Sequence, residues 1–192
     1  MEMKLKTLLN GSVIFIGLGL IACSQLNKGT QSEQVTVVPK AAQQEFERWN
    51  LKPGSIYDGD TLRVVRGSEE LKIRFCGIDA PEKKQSMGVE SRDYLRSLVD
   101  TGNGELLIVP IEKDRYDRTV AEVYVPDRKT SAINLNLEMV RAGYAWHYAQ
   151  YSDNCPMRDQ LIVAEGMAKN EGTGIWSGNP QPLWEWRRKA KK

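Results

Sequence analysis

The chain has 192 residues, and its 27 Lys and Arg against 25 Asp and Glu leave a formal charge of only +2. That balance excludes a global electrostatic pull on nucleic acid, so any binding of a polyanion has to come from locally placed charge. The single histidine, His147, offers no catalytic histidine pair.

In chain order, residues 1–22 read as a leader. "MEMKLK" is a short basic start with Lys4 and Lys6, and an apolar run follows. At roughly 15 residues that run falls short of the ~20 needed to span a membrane and has the size of a secretory signal core. It ends in "LIAC", which resembles the bacterial lipobox, where the signal is cut before the cysteine and the sulfur is lipidated. Cys23 is then the lipidated residue; an ordinary signal cut nearby or an uncut anchor is the alternative. Loss of 1–22 removes two lysines and one glutamate, leaving 25 basic residues against 24 acidic ones. Residues 23–48 are polar and aperiodic and read as a flexible tether between lipid and domain. The expected location is exported: anchored to the cell membrane or outer membrane, or secreted.

Residues 49–178 read as one domain without internal repeats. "TLRVVRG" and "ELKIRFCGI" alternate around "GSEE" as a hairpin. Leu71, Ile73 and Phe75 fall on one face of its second strand; Lys72, Arg74 and Cys76 fall on the other. "GVESRDYLRSLVD" has helical spacing through Val89, Tyr94, Leu95 and Leu98, and "TGNG" stops it. "ELLIVPI" and "TVAEVYV" are two more strands. "SAINLNLEMVRAG" predicts a helix from a Ser131 cap to a Gly143 stop, with Ile133, Leu137 and Val140 on its stripe. "NCPMRDQLIVAEGMAKNEG" predicts another, with Pro156 in its first turn and Met157, Leu161, Ala164 and Ala168 inward. Three strands, a helix, two strands and two helices suit an α+β fold: an OB-fold-like five-stranded β-barrel with three α-helices. Residues 179–192 form an aromatic and basic tail, in which "PLWEWRR" reads as an appended lid strip and "RRKAKK" as a solvated end. With Cys23 lipidated, Cys76 and Cys155 remain, and an oxidising compartment favours a disulfide between them. Two buried thiols are the alternative.

The stretch "YDGDTLRV" puts Asp58 and Asp60 around Gly59 ahead of a strand. It is a hairpin-type turn signal, and it can equally be half of a metal site. Nine residues separate "DGDTLRV" from "RFCGIDAPE", and "DRYDRTVAEVY" follows at 114–124. This constellation resembles the staphylococcal nuclease (thermonuclease) family over roughly residues 50–177. Four carboxylates, Asp58, Asp60, Asp79 and Glu82, need a cation or arginines to coexist, and all-oxygen donors point to a hard ion. The resemblance implies one Ca²⁺ held by Asp60, Asp79 and the backbone carbonyl of Ala80, with Asp58 in the outer shell through water. It further implies Arg74 and Arg118 on the phosphate, Glu82 beside the attacking water as its general base or as the group that only orients it, Arg115 and Tyr116 on a terminal phosphate, and Tyr148 and Tyr151 packing bases. The usual threonine is Ala80 here, which leaves a main-chain ligand intact. The usual glycine is Asp117, whose negative charge beside the phosphate site is expected to lower affinity or alter the pH dependence.

A monomer is expected. The expected activity is Ca²⁺-dependent hydrolysis of DNA and RNA, single strands preferred, with low sequence specificity and 3′-phosphate products. The rival is a non-catalytic OB-type lipoprotein that binds nucleic acid or protein in the envelope, and a third reading is structural calcium binding alone. A mere binder has no use for clustered carboxylates beside phosphate, and a structural calcium site leaves Arg74 and Arg118 without a role.

Overall fold

The structure, a computed structural model, describes residues 46–129, 131–178, 180 and 183–190. The leader, Cys23 and the tether up to residue 45 lie outside the described residues. Among the described residues no helix is long and apolar enough to cross a membrane.

Strands β1 (Glu47–Leu51), β2 (Thr61–Arg66) and β3 (Glu69–Phe75) form an antiparallel meander's edge, with β1 between β2 and β5 (Glu105–Lys113). The β2–β3 hairpin follows the sequence alternation: Leu62 and Val64 face Ile73 and Phe75 inside, and all four are buried. β6 (Thr119–Asp127) pairs antiparallel with β5 and parallel with β3, matching Ile73 to Thr119 and Phe75 to Ala121. That parallel contact closes five strands into a barrel, as the sequence led us to expect. It also brings the end of β3, with Arg74, beside the start of β6, just after Arg118. The β5–β6 register shifts between Pro110 and Glu112, where proline lacks the N–H that a continuous ladder needs.

The remaining elements pack on this barrel: β4 (Ile78–Asp79), α1 (Gly88–Thr101), β7 (Ser131–Asn134), α2 (Leu135–Arg141), β8 (Trp146–His147), α3 (Arg158–Glu171) and α4 (Leu183–Ala190). Leu95 and Val99 of α1, Met139 and Val140 of α2, and Leu161 and Ala164 of α3 all join the main core. A smaller cluster gathers Trp146, Ile175 and Leu183, with Met87 and Trp176 against it. Cys76 and Cys155 form a disulfide with Cα atoms 5.8 Å apart, tying the end of β3 to the segment before α3.

Three expectations need correction. The sheet begins at Glu47, inside the stretch read as tether, because Glu47–Asn50 pair with β5. The helix expected from Ser131 starts at Leu135: Ser131–Asn134 instead extend the sheet along β6, and the Asn134 side chain caps the helix by accepting from the Leu137 amide at 2.9 Å. Within the tail, residues 183–190 form α4, with Leu183 fully buried, so that residues 187–190, expected in a solvated end, belong to a helix. A fourth helix thus joins the three expected.

Candidate active site

The turn at 58–60 is built by Asp58, whose Oδ1 accepts from the Asp60 amide at 3.1 Å. Gly59 is required there by close approach: a Cβ would lie 1.9 Å from Ser91 Oγ and 2.8 Å from the Ala80 Cβ. The turn is thereby pressed against α1 and the β4 segment, and Asp60 is aimed across. Its Oδ1 accepts from the Thr61 hydroxyl at 3.0 Å, and its Oδ2 from the Ala80 amide at 2.7 Å. Asp79, on β4, is held by pairing of β4 with β8 and is buried, as is Asp60. Glu82 sits just beyond, where a Cβ at Gly88 would come within 2.0 Å of its carbonyl oxygen. The start of α1 therefore fixes the Glu82 backbone.

Arg74 bridges the two buried aspartates: Nη1 lies 3.0 Å from Asp60 Oδ2, and Nη2 lies 3.2 Å from Asp79 Oδ1. Arg118 is positioned from its own turn. Asp114 accepts from the amides of Tyr116 and Arg118 at 2.9 and 3.0 Å, and from Arg118 Nε at 2.7 Å. Burial works to raise the Asp114 carboxyl, but the Arg118 amide and guanidinium and the Tyr116 amide hold it below the ordinary range. Asp114 is a site residue that the sequence reading passed over, although an aspartate opening a turn was the available signal. Asp117 takes φ 58°, the left-handed conformation a glycine would adopt without cost and which aspartate tolerates better than most side chains. Its side chain is 94% exposed and lies 3.6 Å from Lys113, so the charge expected beside the phosphate site is turned outward.

Asp58, Asp60, Arg74, Asp79, Glu82, Asp114 and Arg118 open on one cavity of about 750 Å³, lined also by Arg115, Tyr116, Tyr148 and Tyr151. The Arg115 guanidinium lies over the Tyr116 ring at 4.8 Å, and the Tyr148 and Tyr151 rings are 4.8 Å apart, tilted to each other. Burial, then the charge of Asp79, pushes the Tyr148 hydroxyl up. Tyr144 and Trp146 do not reach the cavity. Tyr144 stacks on Tyr94 at 4.4 Å, and Trp146 meets Trp176 edge-on.

The residue that sequence reasoning missed altogether is Arg187 of α4. Its Nη1 and Nη2 donate to Asp79 Oδ2 and Oδ1 at 3.0 and 2.8 Å, and its Nε donates to Glu82 Oε1 at 2.8 Å. Burial opposes its charge, but the hydrogen bonds and charge of Asp79 and then Glu82 outweigh that and raise its pKa. Nothing in "PLWEWRRKAKK" distinguishes this arginine from its neighbours, and the contact to Asp79 spans 108 residues.

Among the described residues no three His, Cys, Asp or Glu groups lie close enough together to hold a cation as they stand. The donor chemistry nevertheless suits a hard divalent ion. Asp60, Asp79 and Glu82 offer oxygen alone, and the site holds more negative charge than it can stabilise. Burial, then the charge of Asp60, pushes the Asp58 carboxyl up to about 7; burial also raises Asp79 despite Arg187. The residues fit such an ion, with the carboxylates of Asp79 and Glu82 engaged by Arg187 instead.

Comparison with protein-family models matches residues 72–178 to the family described as Staphylococcal nuclease homologue. An uncharacterized endonuclease of Haemophilus influenzae is 42% identical over 138 residues, 71% of this chain and 71% of its own. One of Escherichia coli O157:H7 is 39% identical over 135 residues, 70% of this chain and 82% of its own. A micrococcal nuclease of Shigella flexneri is 37% identical over 141 residues, 71% of this chain and 79% of its own. With the barrel, the paired motifs and these matches in agreement, the chain belongs to the staphylococcal nuclease family.

Proposed function

We propose that the protein is a Ca²⁺-dependent nuclease that hydrolyses DNA and RNA, single strands preferred, with low sequence specificity and 3′-phosphate products. In this reading it acts as a monomer outside the cytoplasm, tethered through a lipid on Cys23. The observation that carries the catalytic part is the convergence of Asp60, Asp79, Glu82, Arg74 and Arg118 on one cavity floored by Tyr148 and Tyr151.

Asp60, Asp79 and the Ala80 carbonyl would hold the ion, with Asp58 behind them. When bound, Ca²⁺ supplies positive charge beside the scissile phosphate and lowers the barrier to attack by water. Arg118, oriented by Asp114, and Arg74 grip phosphoryl oxygens with planar, charge-assisted hydrogen bonds as negative charge gathers there. Glu82 takes a proton from the attacking water as the new P–O bond forms. The bond to the 5′ oxygen breaks, that oxygen takes a proton from solvent water as it leaves while Glu82 gives its proton back to solvent, and the phosphate remains on the 3′ side. Tyr148 and Tyr151 present ring faces on which unpaired bases can stack, a contact every base can make.

The test is digestion of single- and double-stranded DNA and RNA by the purified full-length chain, with Ca²⁺, with other divalent ions and with chelator, followed by end-group analysis. Cleavage that needs Ca²⁺ and leaves 3′-phosphates supports the reading. Folded protein without metal-dependent cleavage between pH 7 and 10 sinks it.

A further inference from the structure

Arg187 occupies the oxygens on which the proposed chemistry depends. Asp79 Oδ1 accepts from both Arg74 and Arg187, Asp79 Oδ2 accepts from Arg187, and Glu82 Oε1 accepts from Arg187 Nε. A cation on Asp79 needs the same lone pairs, and so does a proton moving from water to Glu82 Oε1. Asp79 Oδ1 already accepts from two guanidinium groups, which fill its lone pairs, so a cation on Asp79 would be a third positive group there and has to displace one of them, and Arg187 is the one that also holds Asp79 Oδ2 and Glu82 Oε1. Arg187 and the cation are therefore alternatives.

The helix that brings Arg187 in is lightly held. α4 has eight residues, too few to be stable alone, and among its described side chains Leu183 is the buried one, clustered with Trp146 and Ile175. The preceding "GNPQP" carries two prolines, a residue type without a backbone N–H to donate. The helix can thus leave the site without dismantling the barrel.

We propose that α4 is a cation-operated latch: Arg187 holds Asp79 and Glu82 in a closed state, and binding of a divalent cation releases it. The inference rests on the Ca²⁺-nuclease reading above. Because coupling between two ligands of one site is reciprocal, whatever Ca²⁺ does to α4, α4 must do to Ca²⁺.

The experiment pairs calorimetric Ca²⁺ titration of the full-length chain with hydrogen exchange of α4, for wild type, Arg187→Ala, Arg187→Lys and Leu183→Ala. The expected result is that Arg187→Ala binds Ca²⁺ about tenfold or more tightly than wild type, within the usual range of coupling between linked sites. Arg187→Lys falls between, since an ammonium cannot span both carboxylates as a planar fork does. Leu183→Ala, which leaves every charge in place and only loosens the helix, also tightens Ca²⁺ and guards against misfolding of the arginine variants. In wild type, Ca²⁺ speeds exchange of the α4 amides. Equal affinity across the variants, with α4 exchange unchanged by Ca²⁺, overturns the latch and leaves the Ca²⁺ reading standing. Weaker binding by both Arg187→Ala and Leu183→Ala also overturns it. No binding by any of the four proteins overturns both inferences, whereas binding by the variants alone supports the latch.

Discussion

The two walls of the cavity are held in different ways. On the barrel wall, Asp60, Arg74 and Asp79 belong to or border strands that neighbouring strands lock in register, and a disulfide secures the end of β3. On the facing wall, Arg187 rides an eight-residue helix held by Leu183 and by its own ion contacts. The contrast separates two needs. Groups that must meet a transition state within fractions of an ångström sit on the sheet or on turns tied to it, as Arg118 does just before β6. A group whose value lies in leaving sits on an element of low local stability.

The comparison breaks first at the disulfide. Replacing Cys76 and Cys155 by serine should cost about 4 kcal/mol by the loop-entropy model, for cysteines 79 residues apart, and lower the melting temperature of the whole barrel. Next in size, Arg118→Ala should lower kcat on single-stranded DNA by about 10²–10³, by analogy with loss of one oxyanion donor. Circular dichroism should remain that of wild type, because Arg118 contributes to the turn through its backbone as well as its side chain.

Leu183→Ala addresses the other wall. A leucine truncated in a core loses about 2 kcal/mol or more, and here that loss should be local, speeding exchange of α4 amides by about thirtyfold or more while barrel amides barely change. A matching fall across the barrel would show that α4 is part of one cooperative unit and erase the distinction.

The smallest expected effect is on pH. Burial holds the His147 imidazole below its ordinary 6.5; Glu165 pulls it up, while Arg158 and Lys169 push it down. Its Nε2 meets the Ser152 hydroxyl at 2.9 Å. A histidine whose folded pKa is depressed contributes stability that is present above pH 6.5 and lost as pH falls through the folded value. Thermal melts between pH 7.5 and 5 should show that loss, and His147→Gln should flatten it.

Much of the site was legible in the chain because its residues lie in two short motifs with fixed local geometry. "DGD" encodes its own turn, the alternation in "ELKIRF" decides which way Arg74 points, and "DRYDR" is a loop closed by its first aspartate. The misreadings arose where local pattern competed with a distant partner. Ser131–Asn134 carry helical spacing but pair with β6, and Glu47 and Arg48 look like linker until β5 supplies their hydrogen bonds. Asp117 looked harmful because composition carries no direction; its left-handed backbone turns the carboxylate to solvent.

By itself, then, the sequence determined the barrel's strand pattern, the identity of the carboxylates and arginines, and the turn that presents Asp60. Only the tertiary structure decided which charges meet. The parallel β3–β6 contact brings Arg74 and Arg118 to one cavity, and burial of Leu183 carries Arg187 onto Asp79 and Glu82. The physical reason is range: turn and strand preferences act over a few residues, whereas an ion pair across 108 residues exists only once packing has brought its two ends together.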